Sequence, residues 1–307
     1  MDAIRLINHQ LSDIPLVVAR LLVWLVLLTI IFVPLERLFA LRRSRVFRSG
    51  WRNDLFYYFV NAIVPMLVLS VPLAAAAWVG HRVVPRGVAV AFFYLPVALR
   101  IFVAWAVAEI GLYWGHRWAH EVPLLWRFHA IHHSPTHVDW LVNSRGHPVD
   151  FIFNRFCGLA PLFVLGLATP LNGASASTTM LVMLLGPTWG FFIHANVGWR
   201  FGPLEWLIAS PAFHHWHHTN DDAASINKNY APMFPWVDRI FGTLYLPSRQ
   251  PAVYGTDTVV SPSLTGQLLD PFGASSGYAS IDNTASAAAS EGVPEAGRSN
   301  ARASANP

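Results

Sequence analysis

The stretch Ile14–Leu35 is 22 residues long and carries one charge, Arg20. A run of that length reaches across the hydrocarbon core of a bilayer. Two more runs follow, Leu55–Val79, interrupted by Pro65 and Pro72, and Val88–Trp114, which contains Arg100 and Glu109. The first is read as a retained helix because no small-residue cleavage site follows it, with Arg20 reaching toward one interface. The prolines of the second predict a kink without preventing a span. Between these two runs stand Arg37, Arg42, Arg43, Arg45, Arg48 and Arg52, whereas the 80–87 loop holds only Arg82 and Arg86. Positive charge marks the cytosolic side. The third run therefore starts on the far side, returns to the cytosol and ends against His116.

Composition agrees. Of 307 residues, 54% are hydrophobic and 12% charged, and the mean hydropathy is +0.39, against about a quarter charged in soluble domains. Disorder is excluded for most of the chain. The net charge of +4 comes from scattered arginines and one lysine, Lys228, which form no nucleic-acid face. The single cysteine, Cys157, rules out an internal disulfide and an all-cysteine metal site, and reads as a small packing residue.

Two shorter apolar runs, Phe156–Ala168 and Ser177–Ile193, flank the turn signal Thr169-Pro170-Leu171-Asn172-Gly173. They predict a re-entrant or paired helical hairpin that returns His194 to the cytosolic face. Trp199, Trp206, Trp216 and Trp236 are candidate headgroup-level anchors, with ordinary packing as the other reading. From about residue 270 the composition turns to Ala, Ser, Gly and Asn and predicts a disordered tail. The expected fold is all-α: a polytopic membrane bundle of about three spans plus the hairpin, with a cytosolic histidine-rich helical cap. Residues 1–54 would form the first helix and basic loop, 55–250 the catalytic domain, and 251–307 a C-terminal segment.

Twelve of the 14 histidines lie between 116 and 218. His116 and His120 are spaced i, i+4; His129, His132 and His133 are spaced i, i+3, i+4, and so are His214, His217 and His218. On a helix each set shares one face. Eight imidazoles buried without partners would be costly, and together they exceed one tetrahedral site and suit two metal ions. Imidazole alone does not choose among zinc, copper, iron and nickel. His215 points about 100° away from its neighbours. His137 reads as a loop residue, and His9 and His81 are assigned nothing.

Read in order, these motifs resemble the fatty acid hydroxylase superfamily, which includes sterol desaturases and sphingolipid hydroxylases. The matching segments are His116-Arg117-Trp118-Ala119-His120, His129 with His132-His133, His194-Ala195-Asn196, and Pro211-Ala212-Phe213-His214-His215-Trp216-His217-His218. Asn229-Tyr230-Ala231 and Trp236–Thr243 resemble the family's closing stretch, and Arg52-Asn53-Asp54-Leu55 the start of its second span. The likeness covers roughly residues 50–245.

The resemblance implies two irons held by His116, His120, His129, His132, His133, His194, His214, His217 and His218. Some members carry a further histidine where this chain has Gly198. The resemblance also implies an O2-dependent hydroxylase or desaturase of a membrane lipid, a fatty acyl, sterol, sphingoid or similar chain. No electron-carrying segment is fused to it, so a ferredoxin- or cytochrome-type donor with its reductase would supply electrons, with the 37–52 loop as its expected dock. Glu109, Asn143, Arg145, His147 and Asp238 are candidates to support the ligands, His147 with a lesser claim as a ligand itself. Other readings of the same histidines are a metal transporter or sensor and a bis-histidine haem protein. Arg-rich, Lys-poor usage points to a bacterial inner membrane, or to the endoplasmic reticulum in a eukaryote.

Overall fold

The computed structural model describes residues 12–168 and 176–273, with side chains left out of account for 176–184. The described residues are helical, without a named strand. The turn expected at Thr169–Gly173, His9 and the tail beyond residue 273 lie outside the described residues.

Helix α1, Ile14–Phe39, starts with proline in its first turn and buries only Leu28 and Phe32. Leu22, Val23, Ile30 and Ile31 are at least half exposed, an apolar surface of the kind a bilayer covers. Helices α2, Trp51–Val68, and α3, Ser70–Val83, bend by 44° where they meet. The ring of Pro72 would meet the carbonyl four residues back, at Val68, which is where α2 ends.

The third apolar run departs from its expected course. It splits into α4, Arg86–Phe93, and α5, Val97–Glu121. Pro96 has no N–H and drives Leu95 out of the helical region, so the helix restarts after it. Helix α5 then continues past the membrane run and carries His116 and His120 on its last turns. Helices α1 and α5 are long and apolar enough to cross a membrane, and the bent α2–α3 pair makes up to three spans.

Helix α6, Pro123–His133, is followed by a 3₁₀ turn, Trp140–Ser144, whose amides at Leu141 and Val142 donate to Asp139. Helix α7, Pro148–Val164, packs on α5, α3 and α2. The contact needs missing side chains: a Cβ at Gly111 would stand 2.2 Å from the Cys157 carbonyl, and one at Gly80 2.1 Å from that of Val164. Cys157 is the packing residue expected, against Gly115. Helix α8, Ala176–His194, ends at His194. Short helices α9, Pro211–His217, α10, Pro235–Ile240, and α11, Leu264–Leu269, complete the polar end.

One expectation is corrected here. Trp216 is not an anchor: it is fully buried and its Nε1–H donates to the Arg249 carbonyl. Residues 270–272 form a 3₁₀ turn whose Phe272 packs edge-on to Phe128.

A buried ionic knot ties the arginine loop to the histidine end. Asp54 accepts from Arg48 at 2.6 Å and from Arg145, and Arg48 also pairs with Asp139. Glu36 at the end of α1 accepts the backbone N–H groups of Trp140 and Asn196, each at 2.8 Å.

Candidate metal centre

The histidine spacings do what a helix requires. His116 and His120 project from the end of α5, and His129, His132 and His133 from α6. His214 and His217 project from α9, which Ser210 caps by accepting the Phe213 N–H, with Pro211 as its first residue. His218 follows directly and His194 closes α8. The nine candidates fall into two groups: His116, His120, His129, His133 and His217; and His132, His194, His214 and His218. Within each group the ligand atoms lie within 4.8 Å of one another. The second group is wholly buried, while His116 and His120 leave the first partly open.

Hydrogen bonds fix the tautomers. His116 Nδ1 donates to the Tyr230 carbonyl at 2.7 Å, His132 Nδ1 to that of Arg145 at 2.8 Å, His194 Nδ1 to that of Gly190 at 2.7 Å and His217 Nδ1 to that of Lys228 at 2.9 Å. A carbonyl only accepts, so each of these rings presents a bare Nε2 lone pair. The Nε2 atoms converge: His132 and His194 approach at 3.3 Å, His194 and His214 at 2.9 Å, and His116 and His129 at 3.2 Å. Ligand nitrogens about 2.1 Å from a shared ion stand roughly 3.0–3.4 Å apart in octahedral or tetrahedral geometry. His133 Nε2 and His217 Nε2 are buried without a partner. Lone pairs facing one another in a dry site repel, and a cation between them removes the cost. The residues present fit a pair of metal ions.

Burial, then repulsion from neighbouring imidazoles, pushes protonation of His129, His132, His133, His214, His217 and His218 well below the usual histidine range. Near neutral pH these rings are in the ligand form.

The supporting residues fall out differently. Asp150 was not singled out in the sequence, yet it accepts the His129 Nδ1–H at 3.0 Å and is itself held by Asn154 at 2.7 Å. A carboxylate behind a ligand imidazole fixes the ring and raises its basicity. An acid in the first turn of α7 was a visible signal, but nothing in the spacing connected it to His129. Asn227, also not singled out, faces His120 Nδ1 at 3.2 Å from a backbone with φ of 57°.

Arg145 supports His132, through its carbonyl rather than its side chain. Glu109 holds no imidazole. It accepts the backbone N–H groups of Met233 and Phe234 at 2.6 and 2.7 Å, because the chain folds back over α5 there. Asp238 receives neither a ligand nor Arg239. It accepts the N–H groups of Tyr230 and Ala231 and the Thr243 hydroxyl, so it fixes the length of chain that offers its Tyr230 carbonyl to His116. His147 caps α7 through Nδ1 and donates from Nε2 to the Leu268 carbonyl, which leaves it no lone pair for a metal. Asn143 lies against Gly190, beside the carbonyl that holds His194. His215 turns away, to Tyr254 and the Ala195 carbonyl. Gly198 sits against Leu41 and Gln250. A cavity of about 80 Å³, lined by His120, His133, His217, Trp126, Asn220 and Asn227, opens on the five-histidine group.

Residues 101–243 match the family model for fatty acid hydroxylase. The chain is 35% identical over 179 residues to ornithine lipid hydroxylase OlsE of Rhizobium tropici, covering 58% of this chain and 51% of that protein. It is 31% identical over 154 residues to alkylglycerol monooxygenase of Homo sapiens, 50% of this chain and 32% of that one. It is 27% identical over 150 residues to Delta(7)-sterol-C5(6)-desaturase of Nicotiana tabacum, 48% of this chain and 49% of that one. The chain thus spans about half or less of the length of these curated relatives. No solved structure matches it.

Proposed function

Because the chain belongs to the fatty acid hydroxylase superfamily, we propose that it is a membrane di-iron oxygenase that hydroxylates or desaturates a lipid C–H bond with O2 and electrons from a separate donor. The observation that carries this reading is the pair of histidine groups, with Nε2 atoms converging and the Nδ1 atoms of His116, His132, His194, His217 and His129 fixed from behind. The nine histidines would hold the metals, five on one and four on the other. Bound iron supplies the one-electron chemistry that O2 needs to attack an unactivated C–H bond.

The chain's own residues do the rest. Carbonyls of Tyr230, Arg145, Gly190 and Lys228 orient four ligand rings, and Asp150 orients a fifth. The fully buried four-histidine group keeps water away, which protects reactive species from quenching. The apolar spans bring a bilayer-dissolved chain to the histidine end. The catalytic unit is taken as residues 55–250. The arginine loop bonds to the histidine end through Arg48 and Arg145, which favours the cytosolic face for the metals by the positive-inside rule. Arg43, Arg45 and Arg52 stay exposed as the part of that loop a donor could meet. The relatives' activities favour an amino-acid or ether lipid first, then a sterol.

The test measures metal in protein purified after growth with iron, against His132→Ala/His217→Ala. About two irons per chain, lost in the variant, is the expected result. Lipid extracts from cells given isotopically labelled O2 then separate hydroxylation, which keeps the label in the lipid, from desaturation, which does not. A haem spectrum, or no bound metal after reconstitution with iron, overturns the reading.

A further inference from the structure

A second cavity, of about 500 Å³, lies between α1 and the start of α2, and none of the nine histidines lines it. Leu25, Val33, Leu55 and Trp140 form apolar wall. Leu25 and Arg37 both line it, twelve positions apart on one helix, so the space runs roughly 18 Å along the α1 axis. That is the shape of an alkyl chain lying parallel to a span.

The mouth is cationic. Arg37, Arg43 and Arg45 line it. Arg37 is committed to the Ser44 carbonyl, as Arg48 is to Asp54 and Asp139. Arg43 and Arg45 are exposed and make no hydrogen bond or ion pair among the described residues. Next to them Phe47 is 71% exposed and Val46 42%. Guanidinium groups followed directly by bare apolar side chains suit the headgroup layer, where the first meet phosphates and the second enter the acyl region.

We propose that this cavity holds an anionic glycerophospholipid, with one acyl chain along α1 and its phosphate between Arg43 and Arg45. Two carboxylates also line the cavity, but Asp139 is paired with Arg48 and Glu36 accepts two backbone N–H groups; the uncommitted charges are those of Arg43 and Arg45, which select an anionic headgroup, and the long apolar wall selects a lipid over a free anion. The site is separate from the metal centre, yet its back wall is the Asp139–Leu141 segment, which Glu36 ties to Asn196, two residues beyond His194.

The experiment places the purified chain in nanodiscs of phosphatidylcholine with a minor share of phosphatidylglycerol and counts, by mass spectrometry, the phospholipid that stays with the chain on extraction. Phosphatidylglycerol should be retained about tenfold above its share. Arg43→Gln and Arg45→Gln should each lower that retention about fivefold. Thr29→Trp, which narrows the apolar part and leaves both arginines, should lower it too. Arg52→Gln, in the same loop but outside the cavity, should leave it unchanged. Iron content, read on each sample, should match wild type and shows that the variants are folded. Equal retention of phosphatidylcholine, an equal loss in Arg52→Gln, or displacement of the lipid by millimolar glycerol phosphate or inorganic phosphate would overturn the proposal.

Discussion

Asp150 and His147 lie three positions apart at the start of α7 and serve different ends. Asp150 accepts the Nδ1–H hydrogen bond of His129, so Asp150→Ala should lower metal affinity by about 10–100-fold, read by chelator competition. His147 caps the helix, so His147→Ala should cost about 1 kcal/mol of stability and leave metal content unchanged. The ligand rings carry a pH signature. Their folded-state protonation lies well below about 6.5, the ordinary histidine value. Their stabilising contribution is whole above that value and is lost as pH falls, because the unfolded chain takes up protons that the folded one refuses. Chelator-stripped protein should show a falling thermal midpoint between pH 7 and 5, and a flat profile would contradict the buried neutral rings. The histidine faces were legible in the sequence because three-and-four spacing is a property of one helix. Their supports were not. Tyr230, Lys228 and Gly190 act through backbone carbonyls, which any residue owns, so no residue type marks them.

At the scale of elements, the α5–α7 contact sets where the first two histidines stand. Gly111→Leu or Gly158→Leu forces a side chain into backbone or into Leu112. Either should cost roughly 1–3 kcal/mol or more in stability, with iron lost along with the fold, and a denaturation series in detergent reads it. Gly111 and Gly115 repeat the small-xxx-small spacing of close membrane helices. That spacing was present in the sequence but names no partner helix until α7 is seen. The spans were legible from length and hydropathy. The interruption at Pro96 was passed over because both flanks are apolar, and hydropathy averages across a single missing N–H. The split of the arginine loop into committed and free members was likewise invisible, since it depends on Asp54 and Asp139 arriving from other elements.

For the molecule as a whole, the arginine loop, the histidine helices and residues 199–273 share one end, and the α3–α4 turn belongs to the other. The single cysteine makes this testable with little background. In Cys157→Ser protein, cysteines placed at exposed Ser49 and Asp257 should react alike with an impermeant maleimide in intact cells or inverted vesicles, and one at exposed Gly87 in the opposite sense. The same labelling for all three would break the assignment of sides.

Of the nine imidazoles, four are held by backbone carbonyls, one by a carboxylate and one by an amide side chain, so most of the donor set is oriented by the chain itself. Nitrogen donors of this kind bind divalent ions in a fixed order, with copper above zinc and both above iron. Which ion enters such a site depends on its geometry and on the metal pool of the cell at the moment of folding. On the proposed di-iron reading, zinc or copper taken up from the wrong medium would leave a folded, loaded and inert protein.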